Sequence, residues 1–203
     1  MKRLVVAMVA LLCPWMAAAA DGGDPSGEAR DFVAAVIQGS TRLGTSADPR
    51  VEDRTPLARR LLNEHYDMAS AMRTVLGRYW DGATVEQKER YLATFEDFLL
   101  AGYGVAFERA ATRLRIAGVT AEGERIVVHS VDTGERGAPR VIDWVVVHGD
   151  GQPWLISDVR VGGISLLELM RQDFSTLLRN NKGDMEDLLA AIRRQTDRLK
   201  NAS

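Results

Sequence analysis

The chain has 203 residues, 46% hydrophobic and 27% charged, with a formal net charge of −2 and one cysteine. That is enough apolar material for a sizeable core. The near-balance of charge argues against nucleic acid as a partner, and a single thiol rules out a disulfide framework. At the N-terminus, Lys2 and Arg3 precede the apolar run Leu4–Met16 and the small residues Ala17–Ala20, the layout of a cleavable secretory signal over residues 1–20. The run is shorter than the about 20 apolar residues a bilayer requires. Cys13 sits within it after Leu12, where a lipid-modified cysteine would need a small residue. Cleavage after Ala20 removes Lys2, Arg3 and Cys13, takes the formal charge from −2 to −4, and excludes thiol catalysis and zinc–thiolate sites. We expect one exported domain over residues 21–203, in the periplasm of a Gram-negative bacterium.

Asp24-Pro25 reads as a helix start, followed by Phe32, Val33, Val36 and Ile37 at helical spacing up to Leu43. After the polar loop "GTSADPRVEDR", Thr55-Pro56 starts a second helix with Leu57, Leu61, Leu62 and Tyr66 on one face. A third helix holds Met68, Met72, Val75 and Leu76 and ends near Gly77. Thr84 and Gln87 form a capping-box pattern. A helix of roughly 28 residues should follow, carrying Tyr91, Leu92, Phe95, Phe98, Leu99, Tyr103, Ala106 and Phe107, with Gly102 and Gly104 placed to bend it.

From Arg113 the apolar period changes to two. Strands are expected near 113–120, 125–133, 139–148 and 153–161, separated by the turn compositions "AEGE", "GERGAP" and "GDGQP". Helices over 165–180 and 184–200 close an α+β domain with a four-stranded antiparallel meander. "RIVVHSV" and "VIDWVVVH" place apolar side chains on both strand faces, whereas a sheet with one wet face should alternate. Either helices pack on both sides, or helices and sheet stand apart around an apolar ligand.

The stretch "RVGGISLLEL" resembles a nucleophile elbow until its spacing is checked. G-x-S-x-G requires a second glycine, and Leu167 stands there. Ser165 with Glu168 instead makes a capping box, flanked by Ile164 and Leu169 at staple spacing, so Ser165 is read as a helix cap. Hydrolysis would also need a base, and the histidines are His65, His129 and His148, with no metal-ligand spacing. His129 shares a strand face with Val127 and Val131 and reads as a hydrogen-bonded structural residue. Asp143 and Asp158, in apolar strands, need partners; Arg140, Arg160 and Arg171 are candidates, an acid/base pair being the alternative. Arg73, Arg160 or Arg171 would suit a phosphate at a cavity mouth.

"YDMASAMRTVLGRYW", "FEDFLLAGY", "VIDWVV" and above all "WLISDVRVGGISLLELMRQDF" resemble the toluene-tolerance family, which includes the periplasmic phospholipid-binding component of the Mla (maintenance of lipid asymmetry) transport system. The likeness runs from about residue 28 to 195, with Ser157 where an aromatic is common and Gly162 where an acidic residue is common. It implies a nuclear-transport-factor-2-like fold, a curved four-stranded antiparallel sheet with N-terminal and C-terminal helices enclosing an apolar cavity. It further implies a phospholipid ligand, no chemistry and no cofactor. The implied partners are an outer-membrane lipoprotein complex and an inner-membrane ABC lipid transporter with its membrane-anchored substrate-binding subunit. The lipid lining is expected from Tyr66, Leu76, Trp80, Phe95, Leu99, Tyr103, Val127, Val145, Val147, Trp154, Ile156, Val161 and Phe174. Two alternatives stay open: a carrier of hopanoid or another apolar lipid, and a small cone-fold isomerase or dehydratase using His129 with Asp143 or Asp158.

Overall fold

The computed structural model describes residues 24–45, 55–104, 110–134, 139–148 and 153–202. The expected export signal with Cys13, and Ala106 and Phe107 at the far end of the long helix, lie outside the described residues. Helix α1 (Pro25–Thr45) is followed by α2 (Thr55–His65), α3 (Met68–Leu76), a short 3-10 turn (Gly77–Tyr79) and α4 (Val85–Leu99). The strands are β1 (Leu114–Glu122), β2 (Arg125–Asp132), β3 (Arg140–Val147), β4 (Leu155–Val161) and β5 (Ile164–Ser165). Helices α5 (Leu166–Asn180) and α6 (Met185–Ala202) end the described chain.

Local chemistry sets the helix starts. Asp67 accepts from the Ser70 N–H at 3.0 Å to cap α3, and Gly77, at φ 53°, ends that helix where a side chain would be strained. Thr84 and Gln87 exchange both bonds of the capping box, at 3.2 and 3.0 Å. Ser165 caps α5 by accepting from the Glu168 N–H at 3.0 Å. The return bond of the expected box does not form there: the Glu168 carboxylate turns to Arg171 at 3.5 Å, and Ile164 and Leu169 are both exposed.

Two expectations are corrected. The meander gains a fifth strand, because Gly162 and Gly163, at φ 58° and 81°, reverse the chain tightly enough for Ile164 and Ser165 to pair with Val161 and Arg160. The long helix is regular only to Leu99; Leu100–Gly104 winds into a π-helix. That stretch contains Gly102 and Gly104, which tolerate non-α geometry at low cost, and single π turns concentrate at functional sites.

The sheet order is β1-β2-β3-β4-β5, antiparallel throughout. Opposed residues share a face, so the register sorts the side chains. Leu114, Ile126, Val128, Trp144, Val146 and Ile156 lie on the first face, in the same core as Val33, Val36 and Ile37 of α1. A bulge in β4 makes this possible. Val145 faces Asp158 and Val146 faces Ile156, so Ser157 is the extra residue. Without it, strict alternation from Val161 and Val159 would turn Ile156 to the second face. The Ser157 hydroxyl donates to the Val145 carbonyl at 3.1 Å, satisfying an acceptor beside the break.

A second core is purely helical. Tyr91 and Phe95 of α4 stack at 5.4 Å, Phe174 of α5 meets both edge-on, and Leu76, Leu178, Leu188, Leu189 and Ile192 fill the rest. Tyr66 packs against both cores and pairs with Ile156 in an isolated bridge.

Candidate functional site: a cavity between two cores

Between the helical core and the sheet-side core lies a cavity of about 360 Å³. Packed interiors keep few voids larger than one water, whose share of liquid volume is about 30 Å³, so this space is too large to be a packing fault. Its walls are Ala58, Leu61 and Leu62 of α2, Met68 and Ala71 of α3, and Leu99 of α4 with Leu100, Tyr103 and Gly104 of the π-helix. Val36 and Ser40 of α1, Leu166, Leu167 and Met170 of α5 and the sheet residues Ile142, Trp144, Ile156, Val159 and Val161 also contribute. Helix α2 is pinned as a wall by Arg59, whose guanidinium forks onto Glu96 and Asp97 of α4 at 2.5 Å each. Trp144 is fully buried and donates its indole N–H to Ser130 at 2.9 Å, which fixes the ring's edge.

Of the thirteen residues expected to line a lipid site, Tyr66, Leu99, Tyr103, Ile156 and Val161 border the cavity. Leu76, Phe95 and Phe174 are buried in the helical core, and Trp80 packs on its edge under Lys88 and Arg73. Trp154 rests against the sheet-side core, 4.7 Å from the His148 ring. Val127, Val145 and Val147 project from the second face of the sheet. The lining that sequence reading missed comes from α2, α5, Ile142 and Trp144. The double-sided apolar pattern of "VIDWVVVH" was the available signal, and it left open which face meets the cavity; Ile142 and Trp144 border it, and Val145 and Val147 point away.

The second face is covered by polar side chains. Arg160 of β4 forks onto Glu122 of β1 at 3.0 and 3.1 Å. With β2 and β3 between those strands, the pair must reach across three strand spacings, about 14 Å in all. Val127 and Val145, in that span, are fully buried. The Glu122 carboxyl is held below the usual carboxylate range by this bond, and the Arg160 guanidinium is raised in turn. Beside it His129 joins Thr120 at 2.9 Å through Nε2 and Asp143 at 2.8 Å through Nδ1.

The partner of Asp143 is therefore His129 rather than Arg140 or Arg171. Asp158 accepts the N–H groups of Val159 at 2.8 Å and Leu167 at 3.4 Å, an anion at the start of α5. The Thr120–His129–Asp143 distances match a nucleophilic relay, but the cavity opens on the opposite face of the sheet. Asp158, the other carboxylate considered with His129, borders the cavity but takes no part in the relay.

Arg73, Arg160 and Arg171 are not at the cavity. The guanidiniums that border it are Arg113 and Arg140, with Asp132 between them. Asp132 is buried and takes Arg113 Nε at 3.0 Å and Nη2 at 3.3 Å, with the Gly134 N–H at 3.0 Å. Arg113 and then that N–H hold its carboxyl below the usual range. Tyr66 and Tyr103 also border the space, and burial pushes both hydroxyls up. Among the described residues no cluster of three or more metal-ligating side chains occurs, and no helix is long and apolar enough to cross a membrane.

No curated protein matches the sequence. Among solved structures, a phospholipid-binding protein from Ralstonia solanacearum, in complex with a phospholipid, superposes with a TM-score of 0.71 at 19% identity, over 85% of this chain and 98% of that one. The family model described as MlaC protein matches residues 35–194. With most of its length, including the helices and strands that enclose the cavity, inside that match, the chain belongs to the MlaC family.

Proposed function

We propose that the protein is a periplasmic phospholipid carrier that performs no chemistry. It moves lipid between an outer-membrane lipoprotein complex and an inner-membrane ABC lipid transporter with a membrane-anchored substrate-binding subunit. The observation that carries this reading is the aliphatic cavity between two separately packed cores. Family membership and the phospholipid held by the Ralstonia solanacearum protein support it, as does the export signal expected over residues 1–20. In this reading the acyl chains lie against Leu61, Tyr66, Leu99, Tyr103, Ile142, Trp144, Ile156 and Val161.

The energetics favour a carrier. Each methylene removed from water contributes about 0.8 kcal/mol, so the roughly one dozen methylene-sized groups that about 360 Å³ accommodates contribute on the order of 10 kcal/mol. Unaided release into an aqueous space is negligible at that cost. An apolar cavity and a bilayer interior offer the chains nearly the same surroundings, so exchange between them is close to balanced.

Native mass spectrometry of protein purified without detergent, paired with uptake of labelled phospholipid from vesicles, tests the reading. Phospholipid-sized mass increments and saturable uptake are expected. A bare polypeptide mass with no uptake would contradict it, and a co-purifying lipid without phosphorus would substitute the hopanoid alternative.

A further inference from the structure

Arg140 is the one exposed residue among the described residues that border the cavity; the others are buried or half-buried. It therefore marks where the space meets water. In the register, Arg140 of β3 opposes Asp132 of β2, which opposes Leu114 of β1. Arg140 and Asp132 thus project from one row on the cavity face, with Arg113 bound to Asp132 from the side. Asp132 has little left to offer a ligand, since Arg113 and the Gly134 N–H occupy both its oxygens. Arg140 makes no hydrogen bond or ion pair among the described residues. Among the described residues, this row carries two guanidiniums against one carboxylate.

Resting on the carrier reading above, we infer that this row is a headgroup selector, with Arg140 taking the phosphodiester of the bound phospholipid and favouring headgroups without a second, positive charge. A guanidinium matches two phosphate oxygens at once. A headgroup of net charge −1, such as glycerol phosphate, neutralises the row. A choline headgroup brings an ammonium up to two guanidiniums, and no unpaired carboxylate in the row receives it. At a water-exposed opening with charges about 5 Å apart, the difference corresponds to a three- to tenfold preference, about that of one unit-charge interaction screened by water.

The test loads the lipid-stripped protein from vesicles of phosphatidylglycerol and phosphatidylcholine in equal amounts with identical acyl chains, then extracts and weighs the bound lipid. Wild type is expected to be enriched in phosphatidylglycerol about three- to tenfold, less at 0.5 M salt. R140Q should fall to the vesicle ratio, with R140K keeping most of the preference. Bound lipid at the vesicle ratio in wild type, or unchanged enrichment in R140Q, would overturn the inference and leave the carrier reading standing. Inorganic phosphate that raises the melting temperature of lipid-free wild type but not of R140Q, alongside unselective lipid loading, would assign the row to free phosphate instead. Uptake of neither lipid would overturn the carrier reading, and the selector with it.

Discussion

Strands β2 and β3 carry aliphatic residues on both faces, yet alternate positions have opposite surroundings. Ile142 and Trp144 border a cavity of about 360 Å³, while Val127 and Val145, one step out of phase, are fully buried under ion-paired side chains. Burial alone does not distinguish them, since Trp144 and Val145 are both at 0% exposure. What differs is the cover. On one face it is helices: α1 packs directly on the sheet, and the helices of the second core stand off from it around the cavity. On the other, Arg160 reaches over the intervening strands to Glu122, so its stem is placed to shield apolar surface while its charged end stays bound. Among the described residues, the second face thus carries a side-chain ion pair where the first carries helices.

Trp144→Ala gives the largest expected effect. Trp144 belongs to the cavity wall and to the sheet-side core at once, so its removal should cost about 3–5 kcal/mol in denaturant unfolding. A loss below about 1 kcal/mol would mean the cavity face is not supported by core packing.

Asp132 comes next. Asp132→Asn should cost about 1–3 kcal/mol, the value of a buried charged hydrogen bond. The sign in pH follows from the depressed carboxyl. Its stabilising contribution is present above the unfolded value of about 3.9 and disappears as pH falls through the lower folded value. Wild type should therefore lose its advantage over the variant between about pH 5 and pH 2. A stability difference independent of pH would contradict this assignment.

The outer face predicts a smaller effect. Arg160→Ala should cost about 1–2 kcal/mol by uncovering Val127 and Val145, whereas Glu122→Gln, which breaks only a half-exposed ion pair, should stay within about 1 kcal/mol. Equal losses would show that charge, rather than cover, matters there.

Helix starts and strand spans were legible in the sequence because their causes are local. Pro25, the Thr84 cap, the Ser165 cap and the turn compositions each act within a few residues. The cavity face was not legible, because it depends on register and on the Ser157 bulge, which brings Ile156 onto the same face as Val159 and Val161. The aromatic residues Phe95 and Phe174 drew attention as lining, yet they meet each other in the helical core. Smaller residues at helix surfaces, Ala58, Leu61, Leu166 and Met170, do the lining. Arg140 escaped notice as a cavity residue because its place beside Asp132 is fixed by strand pairing across the "GERGAP" connection. The π-helix did leave a signal, in Gly102 and Gly104.

The most direct test of the cavity as the lipid compartment pairs Ile142→Trp with Val145→Trp, on opposite faces of β3, and measures extractable lipid and a melting curve for each. Ile142→Trp should fill ligand space, melting close to wild type while retaining less than half its phospholipid. Val145→Trp should overpack the covered face, losing about 1–3 kcal/mol of stability with its lipid complement intact wherever it is folded. Lipid lost from the Val145 variant and kept by the Ile142 variant would contradict the account.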